Sequence, residues 1–269
     1  MNPQFGVFYQ VYDNKKAARF VLENFRENFP ENPVVLISDG GEDFSDVAAE
    51  YNCSFHMREN IFGNKENGYD TDSYDAYRTI EWWKRQKLVC EETGMEYVMI
   101  MEDDVFVRDE FDIHAPFDLR GVRLAQPLTP KMVMEIREKA KFEAGVYGMC
   151  GGSMYNAKTL LKIYDDVVKD IEENMDRLQA EDPMQWRGLG SVDLNITYHF
   201  NKRGYRYEAA PWLVEVREGS KQHYLTYIEN NWSKKEGSYR DKISKLRQAF
   251  ETLFKCKAPL VIMLLLQMV

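Results

Sequence analysis

The stretch Tyr97–Val107, YVMIMEDDVFV, constrains this chain more than any other. Five apolar residues, Tyr97 to Met101, run straight into Glu102, Asp103 and Asp104, and hydrophobicity resumes at Val105-Phe106-Val107. An apolar run of that length is the pattern of a strand buried on both faces. Three adjacent like charges repel one another, so their place at a strand end is easiest to understand if a cation sits among them. In an extended segment Glu102 and Asp104 point to one face and Asp103 to the other, so alternate carboxylates can share that cation. Hard oxygen ligands suit Mg²⁺ or Mn²⁺. The alternative is a solvated acidic turn.

The segments before this strand set its context. Phe5 to Tyr12 is rich in aromatic and β-branched residues, which suits a strand, and Asp13-Asn14 offer N-cap chemistry. From Lys15 to Phe29 apolar residues recur at Ala17, Ala18, Val21, Leu22, Phe25 and Phe29, the spacing of an amphipathic helix that Pro30 ends. Pro33 to Ser38 reads as a second buried strand, closed by Asp39-Gly40-Gly41. The chain therefore opens β-α-β, the start of a doubly wound sheet in which ligands bind beyond the carboxyl ends of the strands. Asp39 stands at such an end, where it could accept hydrogen bonds from a nucleoside or serve only as a turn residue.

A weak helix over Phe44 to Tyr51 and a short strand near Cys53 to Met57 follow. Asn60 to Asp72 is a polar loop long enough to close over a ligand. Ser73 to Thr93 is strongly helical, and Gly94 caps it. Arg78 in its first turns could reach a diphosphate or be a solvated or ion-paired side chain.

Beyond the acidic strand, Arg108 to Pro130 is loop-rich, with a short strand at Val122 to Ala125, and Lys131 to Ala144 reads as a charged helix. Val146 to Tyr155 combines strand-like residues with Gly148, Gly151 and Gly152, which signals close approach of backbone to something, or else a bulge or tight packing. Ala157 to Leu178 supplies a long amphipathic helix. Glu181 to Gly190 is a loop whose Trp186 and Arg187 could meet a sugar. Ser191 then N-caps a helix, Val192 to Asn201, with Asp193 in its first turn, where a carboxylate favours the helix dipole. Tyr205 to Val216 is a final strand region.

The order β-α-β, polar loop, long helix and buried strand ending in Glu-Asp-Asp resembles the nucleotide-sugar-dependent glycosyltransferases of the GT-A fold. The resemblance covers roughly residues 5 to 225. It implies an α/β chain with a Rossmann-like, mostly parallel central sheet flanked by helices, a single domain with a C-terminal helical tail. Residues 1–232 would form that domain, about 1–107 its nucleotide-sugar half and 108–232 its acceptor half. The family's D-x-D motif would be Glu102-Asp103-Asp104, with glutamate first. Metal ligands implied are Glu102, Asp104 and the late His223, holding Mn²⁺ or Mg²⁺. Tyr9, Asp39, Arg78, Asp103, Gly151, Gly152 and Lys221 would bind the donor, a UDP- or GDP-sugar, and Asp193 would be the base of an inverting reaction on a glycan or glycoconjugate acceptor.

Composition limits the remaining options. A net charge of −9 over 269 residues opposes a general nucleic-acid binder, which needs a basic face to displace counterions. Cys53, Cys90, Cys150 and Cys256 form no C-x-x-C pair, so neither a zinc site nor a disulfide framework is indicated. The N-terminal MNPQFGVFYQVYDNKK has no basic and long apolar signal regions, and a cytoplasmic location is expected. Residues 234–257 carry eight basic side chains against three acidic ones and precede the apolar Val261 to Leu266. This tail could lie peripherally on an anionic membrane surface or pack on the domain. A different-class alternative is a non-catalytic carbohydrate- or membrane-binding module on the same fold. A sugar nucleotidyltransferase is disfavoured, because Tyr9-Gln10-Val11-Tyr12 stands where its glycine-rich G-x-G-T-R type loop belongs.

Overall fold

The computed structural model describes residues 5–61, 63–64, 68–69, 75–102, 105, 107, 113, 116–121, 151–182, 189–190 and 192–210, with backbone alone at 63–64, 68–69 and 193. The opening β-α-β is present: β1 (Phe5–Val11), α1 (Lys15–Asn28) and β2 (Val34–Asp39). Asn14 caps α1 by accepting from the Ala17 N–H at 3.0 Å, which satisfies one of the donors that a helix start leaves open. Next come α2 (Ser45–Glu50) and β3 (Ser54–Arg58). The polar segment expected as a plain loop holds a two-residue antiparallel pair, β4 (Gly63–Asn64) with β5 (Gly68–Tyr69).

Helix α3 (Ala76–Thr93) starts three residues later than the spacing suggests, because Asp75 takes the cap and accepts from the Arg78 N–H at 2.7 Å. Gly94 ends it with φ 61°, the left-handed conformation that glycine adopts without a Cβ penalty. The acidic strand is β6 (Tyr97–Met101), all five of whose residues are buried. Three short strands complete the sheet, β7 (Leu119–Gly121), β8 (Met154–Asn156) and β9 (Tyr207–Ala209), together with α4 (Ala157–Glu181) and α5 (Val192–Lys202). The strand expected at Val122 to Ala125 lies outside the described residues; the strand that is present sits just upstream. Of the strand expected at Val146 to Tyr155, residues 146–150 also lie outside them, and pairing begins at Met154.

The seven strands form one sheet in the order β3-β2-β1-β6-β8-β7-β9. β1 is parallel to both β2 and β6, and β2 to β3, whereas β8 runs antiparallel between β6 and β7. This Rossmann-like, mostly parallel sheet flanked by helices is the architecture that the GT-A resemblance implied. Each face carries its own core, divided by the two-residue period of the strands. Val7, Tyr9, Leu36, Met99 and Met101 pack with α1 and α2, and Phe8, Val35, Ile37, Val98 and Ile100 with α3, α4 and α5. Burying one such side chain stabilises the fold by ~1.5–3 kcal/mol, so slipping any strand by one residue would exchange two whole faces.

Among the described residues no helix is long and apolar enough to cross a membrane. The basic and apolar C-terminal segment lies outside them.

Candidate functional site at the carboxyl edge of the sheet

Chain order runs β1 to β2 to β3 on one side and then returns to β6 on the other side of β1. The sheet therefore reverses direction between β1 and β6, and in open α/β sheets the crevice beyond the carboxyl ends at such a point is where ligands bind. At that edge the structure brings together Asp39 from β2, Gln10 from β1, Glu102 after β6, and the Gly151-Gly152 turn that leads into β8.

Asp39 is almost wholly buried, at 1% exposure. Its Oδ1 accepts from the Ile61 N–H at 3.0 Å and from Nη1 of Arg85 at 2.7 Å. Arg85, on α3 and 3% exposed, also donates from Nη1 to Oε1 of Gln10 at 2.7 Å and from Nη2 to the Glu59 carbonyl at 2.5 Å. One guanidinium thus ties together the ends of β1, β2 and β3. The two glycines after Asp39 allow this crowding. A Cβ on Gly40, whose φ is +72°, would stand 2.6 Å from the Asn60 nitrogen, and one on Gly41 would stand 1.8 Å from the Tyr12 carbonyl oxygen. That carbonyl accepts from the Glu42 N–H at 2.8 Å, which locks the β2 turn over the end of β1.

Glu102 is half-buried at the end of β6. The strand stops at Met101, and the Val105 N–H donates back to the Glu102 carbonyl at 3.1 Å. Asp103 and Asp104, the other members of the triplet, lie outside the described residues. Downstream the chain is fastened to α1. Asn24 donates from Nδ2 to the Val107 carbonyl at 2.8 Å and accepts the Val107 N–H at 2.6 Å. Glu102 thus follows a buried strand, and Val107, five positions on, is anchored to α1.

Gly151 does approach something closely, namely Val105 and Glu102. A Cβ on Gly151 would lie 2.4 Å from Cγ2 of Val105 and 3.1 Å from Oε2 of Glu102. Gly152, with φ +85°, donates to the Ile100 carbonyl at 2.7 Å, and Ile100 donates to the Ser153 carbonyl at 2.9 Å. Those bonds seat the turn beside Glu102.

The other expected residues are placed as follows. Tyr9 has 0% exposure and its ring lies in the α1-side core, so it faces no cleft in this structure. Arg78 has its Nε 3.5 Å from Oδ2 of Asp75, the ion-paired arrangement of a helix arginine. Asp193 is the second residue of α5, and its side chain lies outside the description. Lys221 and His223 lie outside the described residues. Of the expected metal ligands Glu102 alone is described, a hard carboxylate oxygen donor that fits Mg²⁺ or Mn²⁺. Among the described residues no group of three or more His, Cys, Asp or Glu side chains gathers to hold a metal.

Arg85 and Gln10 are the residues that sequence reasoning missed. A signal existed for both. Arg85 lies between Trp82 and Val89 on the buried stripe of α3, and a charge on such a stripe requires a carboxylate opposite it. Gln10 shares the inward parity of Phe8.

Together the fold and this edge define a Rossmann-like α/β protein with its candidate ligand site at the carboxyl ends of the parallel strands. No family model and no curated protein matches the chain. Solved structures similar to it include a cytidylyltransferase from Leptospira borgpetersenii serovar Hardjo-bovis, at 12% identity and TM-score 0.43 over 93% of this chain and 96% of that one. Another is the apo structure of the WbbM bifunctional glycosyltransferase, at 10% identity and TM-score 0.45 over 78% of this chain and 39% of that one.

Proposed function

We propose that the protein is a metal-dependent glycosyltransferase that moves a sugar from a nucleoside diphosphate donor, a UDP- or GDP-sugar, to an acceptor hydroxyl of a glycan or glycoconjugate. What supports this reading is that Asp39 and Glu102 lie at the carboxyl ends of neighbouring parallel strands, either side of β1, beside the point where strand order reverses. A carboxylate at the end of a buried strand, at the carboxyl edge of a parallel sheet, suits a cation.

In this reading Glu102, Asp104 and His223 hold Mn²⁺ or Mg²⁺, which when bound offsets diphosphate charge and that developing on the leaving group. Asp103, Arg78 and Lys221 lie along the diphosphate and ribose. Asp39 accepts hydrogen bonds from the nucleoside. Gly151 and Gly152 border the donor sugar. Asp193, if the reaction inverts, takes the proton from the acceptor hydroxyl as the new glycosidic bond forms and the bond to the diphosphate breaks.

A panel of nucleotide sugars assayed for hydrolysis with and without Mn²⁺ tests this directly. Mn²⁺-dependent release of nucleoside diphosphate from one donor is expected, and Asp104→Ala should abolish it. Unchanged rate and metal dependence in the Asp104→Ala protein would sink the metal assignment. Glycan binding that needs no nucleotide would favour the non-catalytic module instead.

A further inference from the structure

We infer that the β3 edge of the sheet is an interface for a second copy of this chain, the two β3 strands pairing antiparallel about a two-fold axis at Met57. The inference is independent of the reaction proposed above.

β3 is the outermost strand on its side of the seven-stranded sheet and pairs, among the described residues, with β2 alone. The backbone N–H and C=O groups on the outer side of such a strand are a template for another one, and edges are commonly guarded by lysine or proline or covered. Ser54–Arg58, SFHMR, contains neither lysine nor proline. Nor is it covered, since Ser54, Met57 and Arg58 are all exposed. Met57, at 50%, is one of three large hydrophobic side chains exposed among the described residues.

The two-residue period fixes which side chains share a face. Met57 shares the α1 and α2 face with Phe55, which packs against that core. His56 and Arg58 lie on the α3 face, where Nε2 of His56 is 2.6 Å from Oε2 of Glu92. Arg58 forms no ion pair among the described residues. A two-fold axis perpendicular to the sheet keeps each face on its own side, so residues of like parity meet across the seam. With the axis at Met57, the two Met57 side chains meet, and each Arg58 stands opposite His56 of the other copy, beside its Glu92. Directly opposed side chains, ~5 Å apart at Cβ, interact.

Pairing therefore takes an exposed thioether out of water and gives each Arg58 a carboxylate, twice over by symmetry. The same charges set the register. Moving the axis to Arg58 opposes Arg58 to its own copy, a like-charge pair, and moving it to His56 sets Arg58 against Ser54, which offers no charge.

Sedimentation equilibrium of the full chain from ~1 to ~100 μM tests this. The mass should rise from 31.7 kDa toward twice that value. Met57→Glu, Arg58→Glu and Glu92→Arg each set like charges or a lone charge at the seam, and each should raise the dimer Kd about tenfold or more. Arg58→Glu combined with Glu92→Arg exchanges the charges and should bring the Kd back to within about threefold of wild type. Hydrogen exchange gives a second measurement that needs no variant: the β3 amides should slow as wild-type concentration rises. A wild type that stays monomeric over the range overturns the inference, as do variants that leave the Kd unchanged or a charge exchange that fails to restore it. Protection of β3 that is independent of concentration also overturns it, by showing that the chain's own segments cover the strand.

Discussion

Two buried polar regions of this molecule differ in how many of their polar atoms are engaged. At the carboxyl edge of the sheet, Asp39 and Arg85 are buried and joined by short bonds to one another, to Gln10, to Ile61 and to the Glu59 carbonyl. On α5, Asn195 and Thr197 are equally buried, at 0% and 2%, yet among the described residues both amide atoms of Asn195 and the Thr197 hydroxyl find no hydrogen-bond partner. His199, one turn beyond Asn195, packs edge-on against Trp83 with its Nδ1 3.7 Å from Oδ2 of Asp170. A hydrogen-bonded charge pair makes its surroundings rigid, whereas a buried amide without a partner costs stability.

The contrast can be broken most forcefully at the charge pair. Arg85→Ala leaves Asp39 buried without its cation, and should cost about 3–5 kcal/mol in urea unfolding. A loss under about 1 kcal/mol would mean that water already reaches the pair. Next in size is the turn that frames it. Gly41→Ala drives a Cβ against the Tyr12 carbonyl, and should cost about 2–3 kcal/mol with little change in the unfolding slope.

The α5 side should respond to pH. Burial, reinforced by the Arg203 and Lys202 cations, holds the His199 pKa well below its ordinary value. The neighbouring Asp170 is itself engaged by Lys202 at 2.6 Å. The unfolded chain therefore binds a proton near pH 6.5 that the folded protein refuses, so stability falls as pH drops below that value. The slope should approach about 1.4 kcal/mol per pH unit, and His199→Gln should remove it. Thermal melts from pH 7.5 to 5 read the difference between the two proteins; identical slopes would show that His199 takes its proton in the folded state.

The smallest effect has the opposite sign. Asn195→Leu removes an amide that has no partner, and should raise stability by about 1 kcal/mol. A fall in melting temperature would reveal that the amide is satisfied by water, and would erase the contrast between the two regions.

How much of this was legible depends on distance along the chain. The Asn14 and Gly94 caps, the apolar stripe of α1 and the buried run of β6 are local signals, and the structure places those elements within a residue or two of where the sequence suggests. Asp39 and Glu102 were recognisable as strand-end carboxylates for the same reason. Arg85 was not, because its partner lies 46 positions away and only the packing of α3 across β1 and β2 joins them. Gly151 announced a close approach without naming its object; insertion of antiparallel β8 beside β6 decided that the object is Glu102.

The sequence by itself determined the β-α-β opening, the long helix and the acidic end of the central strand, since periodicity, caps and glycines act over a few residues and need no partner to be read. Tertiary structure alone decided that α3 would supply the cation for Asp39, that β8 would enter antiparallel, and that α5 would bury an amide with no partner. Those outcomes depend on which surfaces meet, and the free energy of that meeting is not carried by any one segment.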